Sequence, residues 1–286
     1  MPGDTESLAT LLRIIPHALC IKALTAITAI GAQVGTEKYV VAIIGHTRTI
    51  QEGGHGQKRS RDALPRTCYL GYMNSRNRNF TDRCIEQLDQ AVRTVFGEPA
   101  GSDRSNPSEP LQDDDFTATG QAESVCLMRV NHAGEVCAQA LYQGQALTAW
   151  NREVSNQMQQ AADEENDHLV WCRQRIGELG GHTSLLNPVW YTGSFLLGAA
   201  TGLLGDKWSL GFLAETEQQV VKHLEGHLQR LPENDKKSQA ILEQMKTDEA
   251  KHRETAVNSG GAELPETLKK AMTLMSRVMT TTAYRI

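Results

Sequence analysis

Val154, Met158, Ala161, Glu165, His168, Cys172, Ile176 and Leu179 recur at intervals of three and four residues. That spacing draws one stripe along an α-helix, the stripe that a bundle helix buries. Two of its members, Glu165 and His168, are polar. A lone ionised carboxylate in an apolar interior is too costly to persist and takes up a proton instead. A divalent cation removes that cost. Residues three apart on a helix have Cβ atoms about 5–6 Å apart, so Glu165 and His168 reach a common point. The chain must therefore bring this stripe against other helices around something that neutralises acids.

The arrangement occurs twice. Ile241, Met245, Glu249, His252 and Ala256 form a second stripe, again with a Glu-x-x-His pair on the apolar line. Two further helical patterns each place one glutamate among apolar residues. Glu217 lies with Leu210, Leu213, Leu224 and Leu228, and Glu135 with Met128, Ala138 and Tyr142. Glu135 precedes Glu165 by 30 residues and Glu217 precedes Glu249 by 32, the spacing of an internal duplication. A single Glu-x-x-His is a weak signal, since a solvated salt bridge explains it equally well. Two copies on buried stripes, each after a lone-glutamate helix, supply four carboxylates and two imidazoles. That is the ligand set of a di-metal carboxylate bundle, and its oxygen-rich character suits iron or manganese better than structural zinc.

Other residues compete for places near this centre. Glu164 and Asp248 stand four before each histidine. The stripes favour Glu165 and Glu249 as ligands and leave Glu164 and Asp248 as outer or surface acids. His223, six after Glu217, is a candidate for hydrogen-bonding a metal-bound carboxylate, or is a satisfied core histidine. Tyr142 is a candidate for the cavity wall, or is an ordinary interior tyrosine. His132 and His227 read as surface or polar-network residues.

No stretch alternates with period two, so an all-α fold is predicted, with helices near 118–150, 153–179, 189–204, 207–231, 235–258 and 265–283. A shorter helical pattern runs from Thr81 to Phe96. Residues 98–115 hold three prolines and six acids and read as a solvated linker. The segment 80–117 is thus an accessory helix with an acidic linker, and 118–286 the main domain. Residues 1–79 carry ten basic and five acidic side chains with no sustained period. They are expected to be an extension without a folded role, largely disordered or absent from the mature protein, with Met73 as a candidate start. An acidic body of 19 bases against 29 acids over residues 80–286 argues against nucleic acid as a partner. The six cysteines form no C-x-x-C pair, which points to free packing thiols.

Between the two halves sits NPVWYTGSFLLGAATGLLGDKW, residues 187–208, apolar on nearly all sides. A spanning helix needs about 20 predominantly apolar residues, and this segment contains Asn187, Pro188 and four glycines. With Trp190, Tyr191 and Trp208 flanking it, it reads as a helix lying in a membrane interface. Leu268, Met272, Met275 and Met279 extend that apolar face. The alternative is a cap on the bundle or a dimer contact.

RVNHAGEVCAQALYQGQ, EENDH, AETEQQVVKHLEGHL and DEAKH, in this order, resemble the bacterial demethoxyubiquinone hydroxylases of ubiquinone biosynthesis. The resemblance covers roughly residues 118–286. It implies a ferritin-like four-helix bundle with additional apolar helices and a di-iron centre of two iron ions per chain. By motif, the ligands are Glu135, Glu165, His168, Glu217, Glu249 and His252. It implies an O2-dependent monooxygenase that hydroxylates 3-methyl-6-methoxy-2-polyprenyl-1,4-benzoquinol. The protein would be peripheral on the cytoplasmic face of the bacterial cell membrane, with other ubiquinone-biosynthesis proteins as possible partners. Some relatives have a tyrosine where Leu224 stands. A ferritin- or rubrerythrin-like iron oxidase or peroxide scavenger is the competing reading, and it leaves the apolar insert without a use.

Overall fold

A computed structural model describes residues 80–97, 101–102, 104–113 and 115–286. The expectations for residues 1–79 lie outside the described residues. Among the described residues seven helices follow one another: α1 Phe80–Phe96, α2 Ala118–Thr148, α3 Arg152–Glu178, α4 Asn187–Leu203, α5 Asp206–Arg230, α6 Lys236–Asn258 and α7 Glu266–Arg285. No strand occurs among the described residues.

Local sequence sets the helix ends. The Thr117 side chain accepts from Gly120 N at the start of α2, and Asn151 accepts from Glu153 N at the start of α3. Each satisfies an amide that has no partner within its helix. Asp235 does the same for α6 by accepting from Ser238 N. Gly205, at φ 101° between α4 and α5, takes a backbone conformation that side-chain-bearing residues rarely adopt.

Helices α2, α3, α5 and α6 form the bundle, with α2 paired to α3 and α5 paired to α6. Leu127, Met128, Cys172, Leu224, Ile241 and Met245 fill one end of the interior. Tyr142, Met158, Ala162, Leu210, Leu213 and Ala256 fill the other. On α3 the buried alanine is Ala162, with Ala161 only partly covered. With its duplicated helix pairs, this is a ferritin-like bundle.

The apolar insert, α4, lies along α2. Its glycines have a packing reason. A Cβ on Gly198 would stand 2.2 Å from the Leu141 carbonyl oxygen, and one on Gly144 would stand 2.3 Å from the Phe195 carbonyl oxygen. The two backbones approach too closely for side chains. Gly193, also on α4, meets nothing within 4 Å. Gly198→Ala is therefore expected to cost about 2 kcal/mol through overpacking. Gly193→Ala is expected to add up to about 1 kcal/mol through helix propensity. Denaturant midpoints of the two variants check the contrast.

The segment before α2 is largely exposed but docks on the bundle through a few side chains. Asn106 and Ser108 are buried, and Asn106 Nδ2 donates to Gln174 Oε1 at 2.9 Å. Farther along, Asp113 pairs with the buried Arg175 at 2.7 Å, which also holds Asp235 at 2.8 Å. Arg175 thus ties this segment, α3 and the start of α6 together. Among the described residues of this segment, Ser102, Asn106 and Asp113 find partners on α3, so it forms a strap across that helix.

Candidate metal centre

The duplicated pattern places Glu135 on α2, Glu165 and His168 on α3, Glu217 on α5, and Glu249 and His252 on α6. All but His252 are buried, and that side chain is only 10% exposed. Glu135, Glu165, His168 and Glu249 each offer one ligand atom within 4.8 Å of the others, and so do Glu217, Glu249 and His252. Glu249 belongs to both groups. Glu165 also touches both histidines, with Oε2 3.0 Å from His168 Nδ1 and Oε1 3.3 Å from His252 Nδ1. The six residues named from spacing therefore converge on one interior point.

Both imidazoles present Nδ1 to the cluster and turn Nε2 outward. His168 Nε2 lies 3.3 Å from Asp248 Oδ2, and His252 Nε2 lies 2.8 Å from Glu164 Oε2. The acid four before each histidine thus serves the histidine of the other helix. A ring nitrogen held by an outer carboxylate fixes the tautomer and leaves the second nitrogen as a lone-pair donor.

The electrostatics are those of an interior with too many acids for itself. Burial, and then the neighbouring Glu165 and Glu249, push the Glu135 carboxyl well above its ordinary range. Burial followed by Glu249 and Glu165 does the same to Glu217. Burial opposes charge on His168, yet Glu165, Asp248 and Glu135 outweigh it and raise that imidazole. Two carboxylate oxygens of the cluster, Glu165 Oε1 and Glu217 Oε2, are buried with no hydrogen-bond partner. Cations would remove the repulsion, take up the orphaned oxygens and match the hard oxygen-rich donor set. The residues present therefore fit a metal.

Tyr142 is fully buried and donates from its hydroxyl to Glu217 Oε1 at 2.5 Å. Its ring meets His252 edge-on, with centroids 6.2 Å apart. His223 lies on the wall of a cavity that Glu135, Glu217 and Glu249 also line. Its ring centroid is 3.9 Å from that of His227, its Nε2 has no partner, and burial followed by Arg230 lowers its pKa to about 4. His227 in turn is 2.8 Å from Asn131 Oδ1.

A cavity of about 400 Å³ abuts the cluster. Glu135, Glu217 and Glu249 close its inner end, while Val189 and Leu197 of α4 and Met272 and Met275 of α7 line its outer part. Sequence reading missed the contacts of Ser102 and Arg104 around His168. Their only signal was a lone arginine in an otherwise acidic segment.

The family model described as "Ubiquinone biosynthesis protein COQ7" matches residues 122–283. A Nitrosococcus oceani protein named 3-demethoxyubiquinol 3-hydroxylase is 56% identical over 214 residues, 75% of this chain and 100% of that one. Proteins of the same name from Nitrosospira multiformis and Dechloromonas aromatica are 57% and 54% identical. They cover 71% of this chain each, and 97% and 98% of their own lengths.

Proposed function

The chain belongs to the family of ubiquinone biosynthesis protein COQ7, and on that premise we propose that it hydroxylates the ring of a demethoxyubiquinol. The substrate is 3-methyl-6-methoxy-2-polyprenyl-1,4-benzoquinol. One atom of O2 enters a ring C–H bond and the other leaves as water, with two electrons and two protons supplied by a reductant. The observation that carries this reading is the buried carboxylate and imidazole cluster at the closed end of an apolar cavity.

The cluster would hold two iron ions, which when bound supply the activation of O2. Glu135, Glu165, His168 and Glu249 would hold one, and Glu217, Glu249 and His252 would hold the other. The protein contributes position and dryness. Asp248 and Glu164 orient the imidazoles. The Tyr142 hydroxyl holds one oxygen of Glu217, which leaves the other free for metal. The apolar walls keep water away and seat the quinol ring beside Glu135 and Glu217.

The cavity opens between α4 and α7, and both carry apolar side chains in solvent. Val189, Leu196 and Leu203 are exposed on α4, as are Leu274, Met275 and Val278 on α7. No helix among the described residues is long and apolar enough to cross a membrane. These faces rest on the cytoplasmic leaflet as interfacial helices do, and the prenyl tail leaves the cavity directly into lipid.

Purified protein is expected to contain about two irons per chain, to show oxo-bridge absorption, and to consume O2 with a quinol analogue once reduced. An iron-loaded protein that oxidises iron or reduces peroxide but leaves the quinol unchanged would favour the ferritin- or rubrerythrin-like reading.

A further inference from the structure

The two imidazoles are braced unequally. Around His168 the strap before α2 makes a dense set of contacts. Ser102 donates from its backbone N and from its Oγ to the two carboxylate oxygens of Asp167, each at 2.6 Å. Arg104 donates to Asp248 Oδ2 at 2.5 Å and lies 3.8 Å from Asp167. Its guanidinium sits 5.1 Å from the centre of the Trp171 ring. Trp171 in turn contacts the His168 ring, with centroids 5.4 Å apart. Asp167, His168 and Trp171 occupy one turn of α3, and Asp248 faces them from α6. The strap therefore holds His168 along its own helix and across the bundle.

His252 has less support. Its outer partner, Glu164, has a side chain 37% exposed, and takes its other hydrogen bond from the surface residue Gln160 at 3.2 Å. An outer carboxylate that moves freely lets its imidazole move with it. One that accepts from a guanidinium lying over a tryptophan ring moves less.

We propose that Arg104 is a positioning residue for the metal centre. By fixing Asp248, and through it the His168 ring, it makes the position served by His168 hold its metal longer than the one served by His252. The inference rests on the reading that the cluster binds two metals. Arginine is required in place of lysine because the contact combines ring stacking with a directed N–H donor.

The test uses the full chain loaded with cobalt(II), with metal release into excess chelator followed by absorbance. Wild type is expected to release two equivalents in a fast and a slow phase. Arg104→Ala is expected to accelerate the slow phase about tenfold, within the range usual for loss of an outer partner, and to leave the fast phase unchanged. Arg104→Lys is expected to restore only part of the difference. Glu164→Gln is expected to accelerate the fast phase alone. Proton NMR of the cobalt protein gives a second readout. The shifted, exchangeable Nε2–H signal of His168 is expected to exchange faster with water in Arg104→Ala, while that of His252 is unaltered. Release of both phases accelerated equally would mark a general loosening and overturn the proposal. So would a slow phase unchanged in Arg104→Ala. A wild-type chain that takes up no cobalt would overturn the metal reading itself and the inference with it.

Discussion

Alanine in place of Glu165 is expected to end metal binding and hydroxylation together. Glu165 is fully buried and lies near both imidazoles, 3.0 Å from His168 and 3.3 Å from His252. Its removal thus affects both halves of the cluster at once. The expected loss is about 1,000-fold or more in hydroxylation, equivalent to about 4 kcal/mol of barrier. Iron content is expected to fall in parallel. Misfolding is a separable explanation. Burial opposes the charge on Glu165, but His168 and then His252 outweigh it and hold the carboxyl well below its ordinary range, so losing that charge weakens the metal-free fold. Glu165→Gln keeps the volume while losing the charge. It is expected to melt below metal-free wild type, yet to fail to retain iron at temperatures where it is still folded. Hydroxylation that survives in either variant would refute the ligand assignment.

Leucine in place of Gly134 is expected to have the opposite profile, with metal kept and turnover lost. Gly134 lines the cavity on α2, and a Cβ built there meets nothing within 4 Å. The substitution is therefore tolerated by the backbone and improves helix propensity by up to about 1 kcal/mol. The added side chain projects into the space proposed for the quinol ring. Hydroxylation of a prenylated quinol is expected to fall about 100-fold, the order that misplacing a substrate by about 1 Å costs. Iron content and absorption are expected to match wild type. A Gly134→Leu protein with wild-type turnover would show that the substrate does not use this cavity.

The four bundle helices were legible because each buries a continuous stripe. Periodicity places them within two residues of the observed ends, since a stripe says nothing about the cap that closes it. The cluster was legible for a related reason. A carboxylate on an apolar line, as at Glu165 or Glu249, contradicts its surroundings and so advertises a ligand. The strap left no such trace. Ser102, Arg104 and Asp113 work as isolated side chains, and an irregular Pro-containing segment has no period to betray which face is docked. The insert was only partly legible. Its glycines read only as an argument against a membrane span, whereas Gly198 lies where the Leu141 carbonyl leaves no room for a side chain. Composition reports that a segment is apolar and small, and cannot separate a close helix crossing from an exposed face when one helix supplies both.

The outward contacts of the two histidines run diagonally, Glu164 to His252 and Asp248 to His168. Each hairpin therefore lends the other a part that it cannot supply to itself. The duplication has passed beyond two modules placed side by side. A fragment ending after α3 would carry its own Glu-x-x-His yet lack the acid that steadies it. A drift in one acid during divergence would be felt by the histidine on the opposite strand of the chain, so the pairs 164 with 252 and 248 with 168 are bound to change in concert.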